Sequence, residues 1–179
     1  KGPVLEPANI TITHILGNNS KVNITPDNSQ STLFVLLIND TDNNSAPIPM
    51  NITVWVKLND THWDWGFTNQ TNISGYLNYY FTPNCSYSPG VREWYANSTD
   101  VYYDNESITG MNVTLNGTLT SHLIYPSGQE FLRGSNITIE VKINDTCGNN
   151  ITDLDNNSLV ITLISQKTGE SFSCDIKEH

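Results

Sequence analysis

An N-glycosylation acceptor triplet, Asn-x-Ser/Thr, begins about once every ten residues of this chain, and each requires its segment to reach the surface. The 18 acceptors are Asn9, Asn18, Asn23, Asn39, Asn43, Asn51, Asn59, Asn69, Asn72, Asn84, Asn97, Asn105, Asn112, Asn116, Asn136, Asn144, Asn150 and Asn156. No middle residue is proline, and 12 of the triplets end in Thr. With 24 Asn and 36 Ser plus Thr in 179 residues, random placement would put roughly five Asn in such triplets. The excess is too large for composition alone. It predicts a secreted chain whose bulky, hydrated sugars leave little bare protein surface. β-Structure suits that demand, because only alternate residues of a strand need be buried.

Period-two alternation dominates, and no segment shows a 3.6-residue period. The spacing predicts strands over 10–15, 21–25, 32–38, 52–58, 74–81, 91–96 and 101–103, then over 111–115, 118–125, 136–143 and 159–165. Between them lie Asn-Asn, Asp-Asn, Pro-Ser-Gly and Ser-Pro-Gly clusters, which are turn chemistry. Many short strands separated by such turns read as a β-sandwich. A repeat is visible at an offset of about 105 residues: Phe34, Leu36 and Ile38 run into Asn39-Asp40-Thr41, as Ile139, Val141 and Ile143 run into Asn144-Asp145-Thr146.

The strand ending in Ile38-Asn39-Asp40-Thr41, the stretch Gly75-Tyr76-Leu77-Asn78-Tyr79-Tyr80-Phe81-Thr82-Pro83 and the turn Ser88-Pro89-Gly90-Val91 follow one another in order. This series resembles the immunoglobulin-like repeats of secreted prokaryotic surface proteins, particularly archaeal surface-layer and surface-filament proteins. The resemblance implies an all-β chain of two tandem immunoglobulin-like sandwich modules, over 17–108 and 109–179, with the boundary near Asn105–Gly110. The second module has no counterpart of Ser74–Tyr103 and is expected to be incomplete. An open sandwich edge must be covered. Residues 1–16, with the alternating stretch Val4–Leu16, are the expected donor strand, completing a neighbouring copy's second module head to tail. A cut segment of a longer tandem-repeat protein, or a self-contained protein, are the competing expectations.

Charge narrows the partners. The chain carries 8 Lys plus Arg against 18 Asp plus Glu, a net charge of −10. No Lys/Arg cluster exists to hold nucleic acid, and an anionic membrane surface is equally disfavoured. The longest apolar run, Leu33–Ile38, is far short of a membrane span. No leader peptide is visible although the acceptors demand secretion, so the sequence is expected to begin after processing or within something longer. Of the three cysteines, Cys85, Cys147 and Cys174, the expected pair is Cys147–Cys174, with the third free or bonded to another chain.

Motifs of catalysis are missing: no nucleophile elbow, phosphate loop, CxxC or HExxH occurs. A carboxylate pair can be imagined from Glu93 and Asp104, but nothing in their spacing selects them. His14 and His122 hold similar places in the two halves and read as strand residues rather than a site. The loops Asp40-x-Asp42-x-Asn44 and Asp153-x-Asp155-x-Asn157 have a calcium-like oxygen pattern but lack its Gly and distal Glu; ordinary turns explain them better. His62-Trp63-Asp64-Trp65-Gly66-Phe67 invites a sugar-stacking reading, against packing beneath the chain's own glycans, an interface, or the core. Trp55, between Val54 and Val56, is expected in the core. The chain therefore reads as an extracellular structural glycoprotein, a non-enzyme whose partners are copies of itself, with no cofactor beyond covalent glycans. A surface adhesin or carbohydrate-binding module is the alternative.

Overall fold

The computed structural model describes residues 7–47, 49–132, 134–152, 160–164 and 168–173, which divide into two compact units, 1–118 and 119–179. All regular structure among the described residues is β. In the first unit the strands are β1 (Ile10–Leu16), β2 (Ser20–Asn23), β3 (Thr32–Asp40), β4 (Asn51–Val56), β5 (Phe67–Gln70), β6 (Tyr76–Phe81), β7 (Gly90–Ser98) and β8 (Ser107–Asn116). They form a three-stranded sheet, β1-β3-β6, and a five-stranded sheet, β2-β8-β7-β4-β5. Every pairing is antiparallel except β2 with β8.

The alternation read from the sequence is the cause of this arrangement. Phe34, Leu36 and Ile38 of β3 turn one way and are buried, while Leu33, Val35 and Leu37 turn the other way and are half-buried. Ile52, Val54 and Val56 of β4, Leu77 and Phe81 of β6, Trp94 and Ala96 of β7, and Val113 and Leu115 of β8 supply the remaining inward faces. The sheets meet through aromatic rings. Phe34 of one sheet stacks on Trp94 of the other with centroids 4.3 Å apart and planes 9° from parallel, and Phe81 lies 5.4 Å from Phe34. Offset stacking of this kind is worth about 0.5–1.5 kcal/mol beyond the area buried.

The second unit comprises β9 (Leu119–Tyr125) paired antiparallel with β10 (Glu140–Asp145), and β11 (Thr162–Ile164) paired with β12 (Ser171–Ser173). Among its described residues no hydrophobic side chain is buried. Register places Leu119 and Leu123 on the same face as Val141 and Ile143, and Leu119 and Leu123 are exposed.

Several expectations change on contact with the tertiary structure. The division falls after Thr118, not near Asn105–Gly110. Ser107–Asn116 is the neighbour of both β7 and β2, so it is the last strand of the first sandwich rather than the first of a second. Residues 101–102 form a turn, because the Asp100 carboxylate accepts the Tyr102 N–H at 3.0 Å, and Tyr103 makes only an isolated bridge to Ala8. β5 was missed since all four of its residues are exposed and its sequence has no apolar period; it is an edge strand defined only by pairing with β4. Ile10–Leu16, the core of the expected donor strand, pairs in this chain with β3 from Ile10↔Asp40 to Leu16↔Val35. Cys85 and Cys147 are both disulfide-bonded, and the expected Cys147–Cys174 pair does not account for Cys85; Cys174 itself lies outside the described residues.

Candidate functional site

Seventeen of the 18 acceptor asparagines lie within the described residues, all but Asn156, and none of them is buried. Five sit together on the outer face of the five-stranded sheet. Ile52, Ala96, Val113 and Leu115 point into the core, so Asn51, Asn97, Asn112 and Asn116 point away from it. Asn23, opposite Asn116, joins them.

The acceptors also have a local geometry. The Oδ1 of Asn59 accepts the Thr61 N–H at 2.9 Å and the Thr61 hydroxyl at 3.0 Å. In the same way Asn72 accepts the Ser74 N–H and Asn84 the Ser86 N–H, each at 2.9 Å. Each bond joins an acceptor to the hydroxyl residue of its own triplet. It engages the carbonyl oxygen and leaves the amide nitrogen, where an N-linked sugar is attached, outside that bond. Other acceptors come in neighbouring pairs: Asn116 Nδ2 donates to Asn23 Oδ1 at 3.4 Å, and Asn97 Nδ2 to Asn105 Oδ1 at 3.3 Å. A glycosylated amide keeps one N–H, so such bonds can persist.

Asparagines outside the triplets do different work. Asn19, Asn28 and Asn44 take left-handed φ values of 59°, 56° and 51°, the region Asn enters more readily than other non-glycine residues. Asn149 donates its Nδ2 to Asp145. Only Asn78 stands within a strand, and Asn157 lies outside the described residues.

The first loop with calcium-like spacing, at Asp40, is tied by N–H donors. Asp40 Oδ1 accepts from the Asp42 and Asn43 backbones and its Oδ2 from Asn43 Nδ2, while Asp42 accepts from Asn9 N and Nδ2. The Asn43 side chain above all holds the Asp40 carboxyl below its ordinary value. Asp145 repeats the device. Its Oδ1 accepts from Cys147 and Asn149 and its Oδ2 from Asn149 Nδ2, which again lowers its pKa. The repeat seen in the sequence is thus one carboxylate-anchored loop used twice. The related loop from Asp153 to Asn157 lies outside the described residues.

The aromatic stretch divides. Trp63 is half-buried edge-on against Tyr95 at 4.7 Å, beneath the Lys57 ammonium at 5.1 Å, and Tyr95 stacks on Trp55 at 4.9 Å. Trp55 therefore lies on the outer face of the sheet, not in the core as its neighbours suggested; the core indole is Trp94. Trp65 is 100% exposed and shares no strand face with Trp63. The loop that separates them is pinned by Asp64, whose Oδ1 accepts from Val56 N and Gly66 N and whose Oδ2 accepts from the Tyr87 hydroxyl at 2.8 Å.

His14 is structural, its Nε2 accepting the Asn18 N–H at 3.0 Å, whereas His122 is exposed on β9. Glu93 is paired with Lys57 at 2.9 Å. Burial, with the Asp64 charge, pushes the Tyr79 phenol up to about 12, and burial with the Asp64 hydrogen bond raises Tyr87 further. A raised tyrosine stabilises the fold fully below pH 10 and progressively less as pH climbs toward its folded value. Melting temperature is accordingly expected to fall between pH 10 and about 12, and a flat profile across that window would contradict the packing described. Compared with protein-family models, curated proteins and solved structures, the chain has no significant match.

Proposed function

We propose that this chain is a structural subunit of an extracellular glycoprotein filament or surface layer, built from immunoglobulin-like modules and assembled head to tail by β-strand complementation. The observation that carries the reading is the placement of the acceptors: 17 asparagines in a strand-rich chain, none of them buried. Extracellular location and a glycan coat follow from their use. The immunoglobulin-like reading of the first unit is supported by its strand order: β1-β3-β6 matches A-B-E and β8-β7-β4-β5 matches G-F-C-C′ of such sandwiches, with β2 added in parallel beside β8.

Complementation is supported by two features. β9 and β10 form a two-stranded sheet with Leu119, Leu123, Val141 and Ile143 on one face, and such a ribbon is marginal alone. β1 is an edge strand in which only Ile10 is buried, so releasing it costs less than releasing any central strand. In assembly β1 would exchange its place beside β3 for one beside a neighbouring copy's second unit. Cryo-electron microscopy of the native material tests this. Ordered fibres with Val4–Leu16 seated in the next subunit are expected, with density on the acceptor asparagines; monomers with β1 kept beside β3 would refute strand exchange.

A second reading, a surface carbohydrate-binding module, is favoured by one observation, the complete exposure of Trp65. It requires glycan-array binding that Trp65→Ala abolishes.

A further inference from the structure

The two outer faces of the first sandwich differ in kind. The outer face of the five-stranded sheet carries five acceptors, Asn23, Asn51, Asn97, Asn112 and Asn116, together with the charged Lys21, Lys57 and Glu93. On the three-stranded sheet, register places Leu33 opposite Tyr80, Val35 opposite Asn78 and Leu37 opposite Tyr76, all pointing away from the core. Tyr80 is 65% exposed and Tyr76 37%. Leu33, Val35 and Leu37 are half-buried beside them. No charged residue occurs in this row, and its only acceptor, Asn39, stands at the end, opposite Thr11. A largely apolar, uncharged face, interrupted only by Asn78, on a chain of net charge −10 fits an interaction surface.

We infer that the outer face of β3 and β6 is the surface through which two copies of this chain associate side by side, the same face on each. Charge selects the occupant. Two copies at −10 repel each other wherever acidic surface meets acidic surface, and this face brings no charge to the contact. Sugar excludes the alternative geometry, since docking this face on the opposite sheet would crush it against five acceptors. With the exposed Leu119 and Leu123 face of β9 and β10 given to a neighbour's β1 in the assembly proposed above, what remains is an isologous pair in which Leu and Val pack centrally and the Tyr76 and Tyr80 rings extend the contact, their hydroxyls at the wet rim. Exclusion of the glycan-bearing face rests on the acceptors being used, as proposed above; the neutrality of the β3–β6 face does not.

The sequence offers a single-substitution test. Asn78 lacks only a hydroxyl residue at position 80, so Tyr80→Thr completes an acceptor triplet in the middle of this face, at a site exposed enough for the fold to tolerate the change. The full chain, secreted by a host that modifies its acceptors, is followed by sedimentation equilibrium, with sugar counted by intact mass. The expected result is a dimer in the wild type and in Tyr80→Phe. Tyr80→Thr bearing sugar at Asn78 is expected to dimerise at least about tenfold more weakly. Tyr76→Glu, which sets like charges face to face, is expected to do the same without any sugar and serves if Asn78 is not modified. A wild type that stays monomeric to about 1 mM would overturn the inference, as would a dimer undiminished by Tyr76→Glu or by sugar at Asn78. Monomers that instead capture a different secreted protein on this face would also overturn it. A wild type without sugar whose dimer is lost in Tyr76→Glu would sustain the face and remove the glycan reading.

Discussion

Trp94→Ala is expected to destabilise the first unit by about 3–5 kcal/mol, against a total of 5–15 for a domain of ordinary stability. The indole is fully buried, stacked on Phe34 at 4.3 Å, with His14 tilted against it at 6.1 Å, so it joins both sheets through one ring. Truncation removes the transfer energy of the ring and leaves a cavity that paired strands cannot close by sliding. A second feature sharpens the test. The Trp94 Nε1 is buried without a hydrogen-bond partner, which costs the native state part of what the ring contributes. Trp94→Phe keeps a stacked ring and removes the orphaned donor, so its loss should be clearly smaller than that of alanine. Urea unfolding followed through the remaining tryptophans measures both, and equal losses in the two variants would show that the stacked ring is not what joins the sheets.

The second large effect is expected at Gly75, at the head of the β6 stretch. Its φ is +80°, and a Cβ built there would lie 2.4 Å from the Ile38 carbonyl oxygen. The obstacle is backbone of the central strand β3, held by the Ile38 N–H donating to the Gly75 carbonyl at 2.9 Å. Moving it would displace Ile38, which is fully buried. Gly75→Ala therefore combines about 1–2 kcal/mol of left-handed strain with loss of that approach, and a total of about 3 kcal/mol or more is expected. Gly110→Ala, in β8 of the same unit, is the control. Its φ is similarly positive, +76°, but nothing lies within 4 Å, so only the strain should register. If thermal melts show equal losses at the two positions, the close approach at Gly75 is not what requires glycine.

What could be read in advance depended on how local its cause was. Alternation in Thr32–Asp40 and Asn51–Val56 dictated strands because burial on one face is written into every second residue. The Asp40 and Asp145 loops were visible as a repeat for the same reason: a carboxylate accepting from residues two to four positions ahead needs nothing distant. Trp55 was misjudged because alternation shows that Val54 and Val56 share a face opposite Trp55, without showing which side the second sheet covers. β8 went to the wrong module since a strand's period is the same whichever neighbour it pairs with.

By itself, then, the sequence determined an all-β chain, its turns, and a set of asparagines that had to reach the surface, since each follows from bonds and periods spanning a few residues. Only the tertiary structure decided which strand closes the first sandwich, which indole is core, and that five acceptors gather on one outer face while the face of Leu33, Val35 and Leu37 carries only Asn39, at its end. Those outcomes depend on pairing between residues far apart in the chain, where the energy lies in the partner as much as in the strand.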